Sequence, residues 1–185
     1  MPFWDKFFGD SRKKDDDDNG FNPGELSPWE RFAAYFTRNN GKFLLARSGE
    51  EVTELLRNIL EHEQARGYWI YDEDLGQTYL AGLPYSTALK PQEDHIFFGN
   101  SRYLLENSGG ILFTSYETGD YRLIDLPGTM VFLADPSQLV PSKEKAMENI
   151  NRAFRHSYPS HIQSIVNFSD EGKDFSKNVY LILKT

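Results

Sequence analysis

Residues 27–71 read SPWERFAAYFTRNNGKFLLARSGEEVTELLRNILEHEQARGYWIY, and their order decides the fold class. Ser27-Pro28-Trp29-Glu30 is a capping box with proline at the first helical position. Trp29, Phe32, Ala33 and Phe36 then recur at helical spacing, a stripe most simply read as core packing, and Asn39-Asn40-Gly41 ends the helix. Lys42 to Ala46 is an apolar run of strand length. Ser48-Gly49-Glu50-Glu51 caps a second helix, whose Val52, Leu55, Leu56, Ile59 and Leu60 share one face. Gly67 stops it, and Tyr68 to Tyr71 is a second strand. Helix and strand therefore alternate, the pattern of crossover connections in a parallel sheet.

The same grammar extends downstream. A weaker helix is predicted over Glu73 to Ala81, and a strand over His95 to Phe98. Gly99-Asn100-Ser101 then leads into a short predicted helix, Arg102 to Asn107, which Ser108-Gly109-Gly110 breaks. Ile111 to Ser115 is a fourth strand. The turn Thr118-Gly119-Asp120 predicts that Tyr121 to Ile124 pairs with it as a hairpin. Pro127-Gly128 is a further turn. Thr129 to Ala134 is the most apolar strand and is expected at the centre. Ser142 to Arg155 reads as a helix and Asn178 to Leu183 as a last strand. The expected fold is α/β, three-layered, with a mostly parallel sheet.

The chain has 185 residues and a formal charge of −8, from 20 Lys+Arg and 28 Asp+Glu. That length suits one domain, expected over residues 27–185. Zero cysteines exclude disulfides, cysteine-based zinc sites, cysteine-ligated iron–sulfur clusters and a cysteine nucleophile. The acidic balance argues against nonspecific nucleic-acid binding. No run reaches the ~18 apolar residues of a membrane span, and Asp5 and Asp10 interrupt any signal-peptide core, so a cytoplasmic location away from membranes is expected. Residues 1–26 are expected to form a flexible tail, with aromatics at Phe3, Trp4, Phe7 and Phe8, basic residues at 12–14 and aspartates at 15–18. The tail is either a docking peptide or a solvated leader.

In parallel α/β sheets, ligands sit beyond the carboxyl ends of strands. Three segments are placed there: Gly99-Asn100-Ser101, Glu106 to Gly110, and Asp135 to Val140. Asn100 and Ser101 either hold an anion at the start of the predicted short helix or simply cap it. Arg102 and Arg122 are candidate sources of positive charge. Glu106 is the candidate catalytic residue, as acyl nucleophile or general base, with Asn107, Ser108, Gly109 and Gly110 as ligand-binding neighbours. The competing reading is a glycine helix stop beside a solvent-facing glutamate. His62, His95, His156 and His161 fall into no strong metal motif, so no metal site is assigned. No Walker-type loop or G-x-S-x-G elbow occurs, and no cofactor is called for.

From about Gly41 to Thr185 the order of segments resembles the LUD domain, lactate-utilisation protein C type. The carrying stretch is Phe98 to Ile150, FGNSRYLLENSGGILFTSYETGDYRLIDLPGTMVFLADPSQLVPSKEKAMENI. Its matching pieces are Glu106 or Asn107, Ser108-Gly109-Gly110, Ile111 to Thr114, Leu126-Pro127, Thr129 to Leu133 and Leu139-Val140-Pro141. Ser169 and Asp170 stand where the family has a late polar loop, and are added to the candidate ligand-binding residues. The resemblance implies a fold of the sugar-phosphate isomerase and CoA-transferase-like superfamily. It also implies an accessory role in oxidising L-lactate to pyruvate beside iron–sulfur partner proteins. Glu106-Asn107 with Gly110-Ile111-Leu112 is separately similar to the Ser-Glu-Asn-Gly-Ile-Leu run of CoA transferases, whose Glu attacks an acyl-CoA. The polar and glycine residues at predicted strand ends give the alternative of a small anionic ligand, phosphorylated or CoA-linked, bound near Asn100 and Glu106.

Overall fold

The computed structural model describes residues 26–166, 168 and 177–185. The expected tail and the candidates Ser169 and Asp170 lie outside them, apart from Leu26. Helix α1 (Pro28–Arg38) starts at the predicted box: Ser27 accepts from the Glu30 amide, and Glu30 answers the Ser27 backbone. Strand β1 (Lys42–Ala46), helix α2 (Gly49–His62), strand β2 (Gly67–Trp69) and helix α3 (Glu73–Tyr79) follow as expected. Strands β3 (Ser86–Thr87), β4 (His95–Asn100), β7 (Thr129–Ala134) and β10 (Asn178–Lys184) complete a six-stranded sheet. Its order is β1-β10-β7-β4-β2-β3, and every pairing is parallel.

β7 is central, and its side chains alternate between two buried layers. Val131 and Leu133 join Leu44, Ile96, Phe98, Tyr180 and Ile182 under α2 and α3. Met130, Phe132 and Ala134 face the other way, with Phe97, Val179 and Leu181, into a layer shared by α1 and a second sheet. The fold is thus α/β with a parallel central sheet covered on both sides. Burying a side chain such as Phe132 or Leu181 contributes roughly 1.5–3 kcal/mol.

The second sheet is where structure and expectation part. Its strands are β5 (Tyr103–Leu105), β6 (Gly110–Thr114), β8 (Leu139–Val140) and β9 (Ile162–Ile165), in the order β8-β5-β6-β9. The helix expected over Arg102 to Asn107 is replaced by β5. Leu104 is buried towards the main sheet and Leu105 towards helix α5 (Lys143–Ala153), two opposite faces that consecutive residues reach in a strand. The hairpin expected between Ile111–Ser115 and Tyr121–Ile124 does not form. β6 is already paired with β5 on one side and β9 on the other. Residues 123–125 instead make a 3-10 turn after the short helix α4 (Ser115–Thr118), with the Leu123 amide donating to Gln163.

The β5–β6 connection clamps α1. Arg31 pairs with Glu106 at 2.9 Å, and Asn39 donates to the Ser108 carbonyl at 2.8 Å. Gly109 has φ +65°, and a Cβ there would stand 2.3 Å from the Phe36 nitrogen. Only glycine suits both the left-handed backbone and this approach. Gly109→Ala is expected to lower stability by about 2 kcal/mol or more, read as a shifted urea-denaturation midpoint at unchanged slope.

At the amino ends of the main strands, Glu63 accepts from Tyr180 at 2.5 Å, Thr129 at 3.2 Å and Lys42 at 3.5 Å. Burial by itself raises the Glu63 carboxyl. Hydrogen bonds from Tyr180, Asn178 and Thr129 together with the Lys42 charge outweigh it, holding the carboxyl below its ordinary 4.5. A carboxyl depressed on folding adds stability above its unfolded value and loses it as pH falls through the folded one. Glu63→Gln should therefore destabilise the fold by about 1 kcal/mol at neutral pH. It should also flatten the stability loss below pH 4.5, measured by urea denaturation across acid pH.

Candidate functional site

The carboxyl ends of β2, β4, β7 and β10 open onto a cleft of about 470 Å³. The chain leaving β2 runs outward to edge strand β3, whereas β4, β7 and β10 succeed one another towards β1. Connections therefore diverge beside β2 and β4, the arrangement that leaves a crevice in open α/β sheets. Each strand end delivers a polar residue to it: Asp72 after β2, Asn100 on β4, Asp135 after β7 and Lys184 on β10.

Two of these are held by local turn chemistry. Asp72 caps α3 by accepting from the Leu75 amide at 3.2 Å. Asp135 accepts from the Ser137 amide at 2.8 Å, opening a 3-10 turn. Gln138 of that turn reaches back to accept from the Asp135 amide at 2.8 Å, and donates to the Ser101 carbonyl at 2.5 Å. The buried Ser101 thus fastens the ends of β4 and β7 together. The side chain of Asn100 makes no hydrogen bond to any described residue.

The positive charge comes from two directions. Lys184 donates to the Tyr79 hydroxyl at 3.1 Å and pairs with no carboxylate among the described residues. Arg102 is ion-paired to the buried Glu117 by a short contact. Glu117 also accepts from the Thr114 amide and hydroxyl at 2.8 Å, as the fourth member of the α4 capping box. The Arg102 guanidinium lies 5.3 Å from the Phe154 ring centroid, and its buried Nε has no hydrogen-bond partner among the described residues. Tyr116, on α4, stacks on that same ring at 4.9 Å. Glu117 is neutralised by Arg102, and the two capping aspartates each engage an amide. Lys184, the partly exposed Arg102 and the Asn100 amide remain as donors, and the second oxygens of Asp72 and Asp135 remain as acceptors.

The structure separates the residues singled out in the sequence into two groups. Asn100, Ser101 and, from the segment Asp135 to Val140, Asp135 and Gln138 line the cleft, joined by Arg102. No helix starts after Ser101, so the helix amides expected to hold an anion there are absent, and any such role falls to side chains. Glu106, Asn107, Ser108, Gly109 and Gly110 do not line the cleft. Glu106 faces Arg31, the Asn107 amide donates to the Pro141 carbonyl, and Gly109 abuts the α1 backbone. The glycines there let one backbone approach another. Arg122 is exposed beside Asp125 at 3.6 Å, away from the cleft. Of the histidines, His95 meets Asp94 at 2.7 Å and His161 meets Thr118 at 3.2 Å. Among the described residues no three metal-ligating side chains gather at one point.

Asp72, Tyr116, Glu117 and Lys184 escaped the sequence reading. Signals existed for three of them. Asp72 follows a strand as a helix cap, Lys184 ends the last strand, and Thr114-x-x-Glu117 is a capping box. Tyr116 carries no local signal, because its place depends on Phe154, 38 positions along the chain.

The sequence matches no protein-family model, and no curated protein matches it significantly. A solved structure does. A DUF162 family protein from Deinococcus radiodurans is similar with a TM-score of 0.66 and 13% sequence identity, over 86% of this chain and 99% of its own. At that identity the likeness establishes the fold. No helix among the described residues is long and apolar enough to cross a membrane.

Proposed function

We propose that this chain binds a small anionic ligand, phosphorylated or CoA-linked, in the cleft beyond β2, β4, β7 and β10. The observation that carries the reading is Lys184, a cation without a carboxylate partner among the described residues, at the mouth of a cleft shared with Arg102 and Asn100. A charge-assisted hydrogen bond to such a group is worth about 1.5–3 kcal/mol. Titration calorimetry with ribose 5-phosphate and inorganic phosphate tests it. Binding should weaken about tenfold in Lys184→Gln, in line with the loss of one such bond. Glu106→Gln should leave the affinity unchanged while lowering stability, because it breaks the pair with Arg31 outside the cleft. No binding at millimolar ligand would overturn the reading. Lost binding in a folded Glu106→Gln would return the site to the β5–β6 connection and to a catalytic Glu106.

A second reading is an accessory role in the oxidation of L-lactate to pyruvate, in the cytoplasm, beside iron–sulfur partner proteins. It is favoured by the LUD-like order of residues 98–150 and by the likeness to a DUF162 protein, DUF162 being a LUD-like family. The chain has no cysteine, so cysteine-ligated clusters would belong to the partners. Affinity capture from native extract, with iron assayed in the eluate, separates the readings. Iron-containing partners support the accessory role, and an iron-free, partner-free eluate removes it.

A further inference from the structure

We propose that the ligand of the cleft is a nucleotide: its aromatic base lies on Tyr116, and its phosphate is held by Arg102 and Lys184. The inference rests on the anion-binding reading above and narrows it to one chemical class.

Tyr116 is built as a platform. Its ring is stacked on Phe154 with an interplanar angle of 18°, and its hydroxyl donates to the Ser157 carbonyl at 2.7 Å. Both contacts hold it from the side of the 154–157 segment. It nevertheless lines the cleft and stays 40% exposed. A fixed, part-exposed aromatic ring beside a polar cleft offers an apolar surface, and stacking a base on such a ring is worth about 1–3 kcal/mol. Arg102 lies against the same Phe154 ring, so cation and platform are both held by one aromatic side chain. The Arg102 side chain is 32% exposed, and the guanidinium carries N–H groups beyond the one engaged by Glu117.

The rest of the cleft fits the middle of such a molecule. Asp72 and Asp135 each engage a capping amide through one oxygen, Oδ1 in both cases, and their second oxygens can accept from sugar hydroxyls. Asn100 adds both a donor and an acceptor. Lys184, Asp135, Asn100 and Asp72 belong to four adjacent strands, a row spanning about 14 Å at ~4.8 Å per strand. An isolated oxyanion engages one point of that row. A ligand with a phosphate and several hydroxyls engages more of it, and Tyr116 lines the same cleft.

Titration calorimetry of the full chain with ADP, ribose 5-phosphate and inorganic phosphate tests the inference. ADP should bind at least tenfold tighter than ribose 5-phosphate. Tyr116→Ala should erase that advantage without changing ribose 5-phosphate affinity, and Tyr116→Phe, which keeps the ring, should retain it. Should Tyr116→Ala fail to fold, the wild-type comparison and Tyr116→Phe still decide. Equal binding of ADP and ribose 5-phosphate overturns the nucleotide assignment while leaving the anion site standing. No binding of any of the three overturns both.

Discussion

Burial of both faces of the central strands governs this molecule. Along β7, Met130, Phe132 and Ala134 lie in one apolar layer and Val131 and Leu133 in the other, and β10 repeats the alternation. A sheet apolar on both faces must be covered twice. Helices α2 and α3 cover one side. On the other, α1 shares the task with a second sheet, and α5 closes the far face of that sheet through Ala146 and Ile150. The parallel pairings require long crossovers, and these supply α2 and α3 on one side and the second sheet with α5 on the other, while α1 comes from the segment before β1.

The same constraint decides where polar chemistry concentrates. With both faces sealed, charged groups of the main strands collect at the strand ends. The two ends are resolved differently. At the amino ends, Glu63 is enclosed by Tyr180, Thr129 and Lys42, and the buried Lys177 donates to the Leu126 and Pro127 carbonyls. Burial pushes the Lys177 ammonium below its ordinary range. At the carboxyl ends, caps and one ion pair account for the carboxylates, while Lys184 rests on a tyrosine hydroxyl. One end is a lock. The other retains unmatched hydrogen-bonding capacity.

The Glu106-to-Gly110 run shows how a ligand-like pattern can belong to architecture. Glycines beside a carboxylate suggest a backbone shaped for a small molecule. Here the approaching object is helix α1: Gly109 meets the Phe36 backbone, Ser108 receives Asn39, and Glu106 receives Arg31. The second sheet is thereby fixed to the first helix, and that sheet in turn carries Arg102, Tyr116 and Glu117 to the cleft.

The sequence by itself determined the α/β class and the elements whose periodicity is unambiguous. Both long helices of the first half begin at Ser-x-x-Glu caps, and β1, β4, β7 and β10 lie where apolar runs of strand length are bounded by turns. It also placed Asn100, Ser101 and Asp135 at strand ends, because that placement follows from strand polarity alone. Only the tertiary structure decided that Tyr103–Leu105 is a strand, that Ile111–Thr114 pairs with residues 162–165, and that Glu106 faces α1. Arg102 to Asn107 carries good helix formers, and the outcome turned on Leu104 and Leu105 being buried on opposite sides by partners distant in the chain. The cleft has the same origin. Lys184, Asp72, Arg102 and Tyr116 are brought together by sheet order and by one stacked ring, neither of which leaves a local trace in the chain.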